Sequence, residues 1–136
     1  MSTTHFEWKE EYSVNVKLLD EQHKQLIKVV DDLYQSIMEK KEKDFISQIF
    51  DRLNDYATGH FFAEEKYFKE FGYQQAGEHI AQHEKFKVDL ARMEDQEKEG
   101  KFDIFELLFY LENWWINHII DMDKRYSQFF NEHGLV

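Results

Sequence analysis

Not one proline occurs among the 136 residues. Proline is the residue that most reliably ends or kinks a helix, because it lacks a backbone donor and its ring clashes with the preceding turn. A chain without it is free to run in long helices, and the apolar residues recur at the helical period over most of its length. The first such segment is expected from about Asp20 to Lys40, with His23, Leu26, Ile27, Val30, Leu33, Tyr34 and Ile37 on one face. The second runs from about Asp44, a candidate N-cap, to Phe71. Its inner face holds Ile46, Ile49, Leu53, Tyr56, Ala57, His60, Glu64 and Phe68, and Gly72 ends it. The third runs from about Gln75 to Glu99, with His79, Ile80, His83, Phe86, Leu90 and Met93 inward and Gly100 as its stop. The fourth starts after Asp103. Asp103 with Glu106 reads as a capping box, and Phe102 with Leu107 as a hydrophobic staple. Its inner face is Ile104, Leu108, Leu111, Trp115, His118, Met122, Tyr126 and Phe129.

Four amphipathic helices with short connections predict an all-α fold, an antiparallel up-down-up-down four-helix bundle. An irregular helical cluster is the alternative. Residues 1–18 lack the helical period. Tyr12, Val14 and Val16 alternate, which predicts an extended N-terminal arm laid over the core and pinned by Phe6 and Trp8. One domain over residues 1–136 is expected, with the arm at 1–18 and the bundle at 19–131.

The formal net charge of −11 argues against nucleic acid, whose phosphates need a basic face. No apolar run approaches the ~20 residues of a membrane span, and the acidic N-terminus does not read as a secretory leader. A soluble cytoplasmic protein is therefore expected. Without cysteine, disulfides, thiolate zinc sites and iron–sulfur clusters are excluded.

Against that background, five histidines and two acids on inward faces are out of place. His60 and Glu64 are four apart on the second segment, and His79 and His83 four apart on the third, so each pair sits on one helical face. His118 and Asp123 are five apart, which on an ideal α-helix leaves them roughly 140° from alignment. His23 adds a nitrogen from the first segment. One inward histidine is usually a hydrogen-bonded core residue. Seven such groups on four helices, with buried charge as costly as it is, are best explained by bound metal. Five imidazoles with two carboxylates exceed a single tetrahedral zinc site. That donor set suits iron, with carboxylates bridging two ions. The Glu-x-x-His motif of ferritin-like di-iron enzymes is absent. His5 and His133, near the ends, are expected to be solvated.

The segments Leu19-Asp20-Glu21-Gln22-His23, His60-Phe61-x-x-Glu64-Glu65, His79-x-x-x-His83 and His118-Ile119-x-x-x-Asp123-Lys124 resemble the haemerythrin family. The order and spacing match from Trp8 to Tyr126, and the length is similar to that of the bacterial single-domain members. The family is itself a standard example of the up-down-up-down bundle. The resemblance implies that His79, His83 and His118 hold one iron, that His23 and His60 hold a second with an open position, and that Glu64 and Asp123 bridge the two. It also implies a bridging oxo or hydroxo group and reversible binding of dioxygen without catalysis. The use would be oxygen transport, storage or delivery to oxygen-consuming enzymes. An oxygen or redox sensor, or an enzyme detoxifying peroxide or nitric oxide, is the alternative. Three positions depart from the family's habit: Trp115 stands where leucine is common, Phe68 where methionine is, and Gln74 where bacterial relatives carry proline. Trp115 lies three residues before His118 and so faces nearly the same way. It is expected to line the dioxygen pocket and narrow the route to the open iron.

Overall fold

The computed structural model of the chain describes residues 6–136. A single 3₁₀ turn, Glu10–Tyr12, precedes α1 (Lys17–Met38), α2 (Glu42–Phe71), α3 (Ala76–Lys98) and α4 (Ile104–Trp114). From Trp115 to Asp123 the fourth helix continues as π-helix, and α5 (Ser127–Glu132) follows after a short turn. Cross-helix pairs fix the directions. Arg52 reaches Asp32 at 2.8 Å while His60 faces His23 at 3.0 Å, so α1 and α2 are antiparallel. Asn54–Glu94 and Glu65–His83 do the same for α2 and α3, as do Arg92–Glu106 and Gln82–His118 for α3 and the fourth helix. The result is the expected up-down-up-down four-helix bundle.

The local signals explain most helix ends. Gly72 adopts a left-handed φ of 72°, and its amide and that of Tyr73 both donate to the Phe68 carbonyl. Gly100 does the same work after α3 with φ 75°, followed by a Lys101 amide bonded to the Gln96 carbonyl. The Asp103 carboxylate accepts from the Phe105 amide at 3.0 Å, capping α4. Two details differ from expectation. Helix α2 begins two residues before Asp44, so that this acid lies in the first turn, where it complements the helix dipole, and Lys41 is the cap. Glu106 does not complete a reciprocal box, because its carboxylate accepts from Arg92 at 3.0 Å instead.

The arm is extended only in part. Val14 and Val16 are fully buried, as their alternation predicts, but the 3₁₀ turn interrupts the strand-like path before them. Asp20 anchors this stretch, accepting from the Val14 amide at 2.8 Å and the Ser13 hydroxyl at 2.6 Å. Phe6, Trp8 and Tyr12 pack half-buried on the core.

That core is in two parts. One, built on Leu26, Leu33, Leu53, Phe86 and Leu111, fills most of the bundle. The other, built on Val14, Val16, Leu19, Phe68, Tyr126 and Phe130, closes the end under the arm. Each helix crosses from one cluster to the other at its histidine or carboxylate residues, so the polar groups occupy the seam between two apolar masses.

Candidate metal centre

All seven inward polar residues meet in that seam, and each is at least 99% buried. Their ligand atoms fall into two groups: Glu64, His79, His83 and His118 in one, His23, His60, Glu64 and Asp123 in the other. Within each group the atoms lie within 4.8 Å of one another. An ion held at about 2.1 Å by each ligand needs donors roughly 3–4 Å apart, so each group is of the size to surround one ion.

The two carboxylates join the groups. Glu64 Oε1 lies 2.9 Å from His83 Nε2 and 3.5 Å from His79 Nε2, while its Oε2 lies 3.4 Å from His60 Nε2. Asp123 Oδ1 is 2.8 Å from His79 and 3.1 Å from His118, and its Oδ2 is 2.8 Å from His23. One oxygen of each carboxylate thus faces each group.

These short distances are mostly not hydrogen bonds. Both Glu64 oxygens, Asp123 Oδ1, and Nε2 of His79, His83 and His118 are buried and have no hydrogen-bond partner among the described residues. Buried polar atoms in native proteins are almost always paired. Atoms this close, yet misaligned with one another, are aimed at shared points between them. That is the arrangement of ligands around a cation, and the donor set of imidazole and carboxylate fits iron.

The π-helical stretch explains how His118 and Asp123 cooperate. Five residues overshoot an α-helical turn, but a π-helix closes its turn with i→i+5 hydrogen bonds, which brings residues five apart one above the other. Asp123, expected at the edge of the apolar stripe, is thereby turned fully inward.

Outer contacts orient the rings. Gln22 Oε1 lies 2.7 Å from His60 Nδ1, Glu65 Oε2 2.9 Å from His83 Nδ1, and Gln82 Oε1 2.9 Å from His118 Nδ1. Each contact leaves Nε2 facing the seam, the usual role of a partner behind a metal-binding histidine. Aromatic rings add a second restraint. Phe61 stacks on His83 at 3.9 Å, Trp114 on His118 at 3.9 Å, Tyr56 on His60 at 5.2 Å and Tyr126 on His79 at 5.8 Å. Sequence reasoning missed these supports, although their signals exist. Gln22, Glu65 and Gln82 each adjoin a ligand-type residue in sequence, and Trp114 lies one helical turn before His118.

Electrostatics show what the seam does without a cation. Burial pushes the His60 and His79 imidazoles down, but Glu64 and Asp123 more than offset it and raise them to about 9 and about 10. Burial lifts the two carboxyls, and the surrounding imidazoles hold both well below the usual carboxylate range. His118 stays depressed by burial. Protons on two imidazoles thus stand in for metal charge.

Trp115 is buried and meets His23 edge-on, with ring centroids 6.1 Å apart and planes at 83°. Phe6 and Tyr12 of the arm cover its other sides at 5.6 and 5.2 Å. His133 lies exposed outside the cluster, stacked on Phe71. His5 lies outside the described residues.

Comparisons with known proteins agree with this geometry. Residues 14–129 match the Hemerythrin HHE cation binding domain. A bacteriohemerythrin of Pseudomonas aeruginosa (strain PAO1) is 31% identical over 124 residues, which cover 90% of this chain and 79% of the relative. One from Methylococcus capsulatus is 28% identical, covering 86% of this chain and 89% of the relative. Among solved structures, hemerythrin variants in which one leucine is replaced by tyrosine or by phenylalanine superpose with a TM-score of 0.83 at 26% identity, covering 93% of this chain and 97% of theirs. The chain belongs to the hemerythrin family.

Proposed function

We propose that this chain binds dioxygen reversibly at a pair of non-haem irons and serves to carry, store or deliver oxygen rather than to catalyse a reaction. The observation that supports the reading most is the unequal division of the imidazoles. Three face one group and two the other, and both carboxylates span the groups. His79, His83 and His118 would hold one iron, His23 and His60 the other, with Glu64 and Asp123 shared. The group with fewer imidazoles leaves room for an outside ligand.

An iron pair held by these residues would supply the two electrons that dioxygen takes up on binding. The chain's residues do the rest. Glu64 and Asp123 offset the charge of the cations inside an apolar core, where uncompensated charge is costly. Gln22, Glu65 and Gln82 fix the tautomers of their histidines. Trp115, the stacked aromatics and the arm keep bulk water away, which disfavours loss of bound oxygen as a charged product.

The test is a titration of reduced, iron-loaded protein with oxygen, followed in the visible spectrum, with iron counted per chain. Two irons are expected, with a band that rises with oxygen and bleaches when oxygen is withdrawn. Irreversible oxidation on first exposure, or one metal per chain, would overturn the proposal.

A further inference from the structure

The five imidazoles of the seam are not treated alike. Four lie against the face of an aromatic ring, and three of those have a glutamine or glutamate on the outer nitrogen. His23 has neither: its neighbour Trp115 meets it edge-on, and its Nδ1 is buried without a partner among the described residues. Trp115 carries a second unpartnered nitrogen. The residue is only 3% exposed, and its Nε1–H has no acceptor among the described residues.

An indole N–H hidden from water without an acceptor costs about 1–3 kcal/mol, and phenylalanine would fill much of the space without that cost. The aromatic rings of Phe6 and Tyr12 stand edge-on to Trp115, and an N–H set over a ring recovers only part of it. Both unpartnered nitrogens thus stand at one corner, beside the group with fewer imidazoles.

We propose that Trp115 Nε1–H is a hydrogen-bond donor to the exogenous ligand of the metal pair, and that it makes this site selective for small anions with lone pairs on the atom away from the metal. The inference rests on the two-iron reading above. A donor in a low-dielectric seam strengthens with the charge of its acceptor. It therefore favours an anion such as azide over a neutral diatomic such as nitric oxide. Steric narrowing would treat the two much more alike, which separates the donor role from simple filling of space.

The experiment uses azide as the probe on oxidised, iron-loaded protein, with the parent, Trp115→Phe and Trp115→Leu compared at equal iron content. Azide should bind the parent, and both variants should bind it about tenfold more weakly or worse, the loss expected for one hydrogen bond to a charged acceptor. Nitric oxide affinity of the reduced protein should change less than about threefold in Trp115→Phe. In the parent alone, the bound-azide stretching frequency should shift between H₂O and D₂O, a readout that needs no variant to fold. Retention of azide affinity in Trp115→Phe, equal loss of azide and nitric oxide affinity, or an azide stretch insensitive to D₂O would overturn the donor role while leaving the two-iron reading intact. A parent chain that fails to load two irons would overturn both.

Discussion

Glu65, Gln22 and Gln82 touch no shared ligand point, yet each holds one imidazole by its outer nitrogen. Such contacts fix which nitrogen is free and how the ring is aimed. Their loss typically weakens metal binding by about 10–100-fold. Glu65→Leu and Gln82→Leu should each lower metal affinity by that order in a chelator competition, with helicity by circular dichroism unchanged. Affinity equal to the parent's would show that packing alone aims the rings. Of the three supports, Glu65 should matter most, because it alone brings a negative charge to the outer side of its imidazole. Trp115 acts by bulk as well. Trp115→Leu opens the His23 corner and should speed both autoxidation of the oxygenated protein and entry of azide, with iron content intact. Unchanged rates would make the residue packing rather than a barrier. The stability change must be measured alongside, since Trp cut to Ala in a core costs about 3–5 kcal/mol and Leu somewhat less.

At the scale of the helix, the chain is nearly regular outside the π-helical stretch, and two single residues depart from good helical practice in opposite ways. Gly59 sits exposed in the middle of α2 at an ordinary helical φ, and a Cβ there would meet nothing within 4 Å. Glycine costs about 0.5–1 kcal/mol there relative to alanine. Lys40, by contrast, follows α1 with φ 57°, a left-handed position where glycine is at ease, and the Lys41 amide closes the turn on the Ser36 carbonyl. Gly59→Ala and Lys40→Gly should therefore both stabilise, each by roughly 0.5–1 kcal/mol, raising the thermal midpoint by about 2–5 °C. A fall on either substitution would place an unseen constraint at that residue. The same local rules account for what was legible beforehand. The helical period, Gly72, Gly100 and Asp103 are short-range signals, and they located four helices to within three residues at the ends that could be compared. The turn type of Trp115–Asp123 was not legible. That stretch contains neither proline nor glycine, its buried residues Trp115, His118, Ile119, Met122 and Asp123 recur at ordinary α-helical spacing, and only the meeting of His118 with Asp123, 3.1 Å apart at the seam, goes with the wider turn. The five-residue spacing of His118 and Asp123 was the visible trace of it. The supporting glutamines were hidden for a related reason, because each adjoins one ligand-type residue in sequence but serves another across a helix boundary.

For the whole molecule, the polar seam is a conflict that a cation resolves. Two carboxylates and five imidazoles are buried between two apolar clusters, and in the metal-free chain protons supply the missing positive charge. The consequence for stability follows from the direction of each shift. His60 and His79 are raised from 6.5 to about 9 and about 10, so their contribution is complete below about pH 6.5 and is lost as pH rises to those values. Glu64 and Asp123 are lowered, so theirs is present above the ordinary carboxylate range near pH 4 and is lost as pH falls. His118 is lowered by burial, so its contribution is lost as pH falls below about 6.5. Metal-free protein should therefore be most stable at about pH 6.5 and weaken steadily toward pH 9–10. Iron-loaded protein should lack that alkaline decline, because ligands must be deprotonated to bind and metal binding releases those protons. Loading should also raise stability at neutral pH, by about 4 kcal/mol for each site whose Kd the free metal exceeds 1,000-fold. Denaturant unfolding of both forms across pH 4–10 measures this. Glu64→Gln is the informative control, since it removes one of the two charges that hold the protons. Its metal-free form should show a shallower alkaline decline than the parent. Equal slopes in the two would mean that the seam holds no protons, and that metal-free stability is set by the apolar clusters on either side of it.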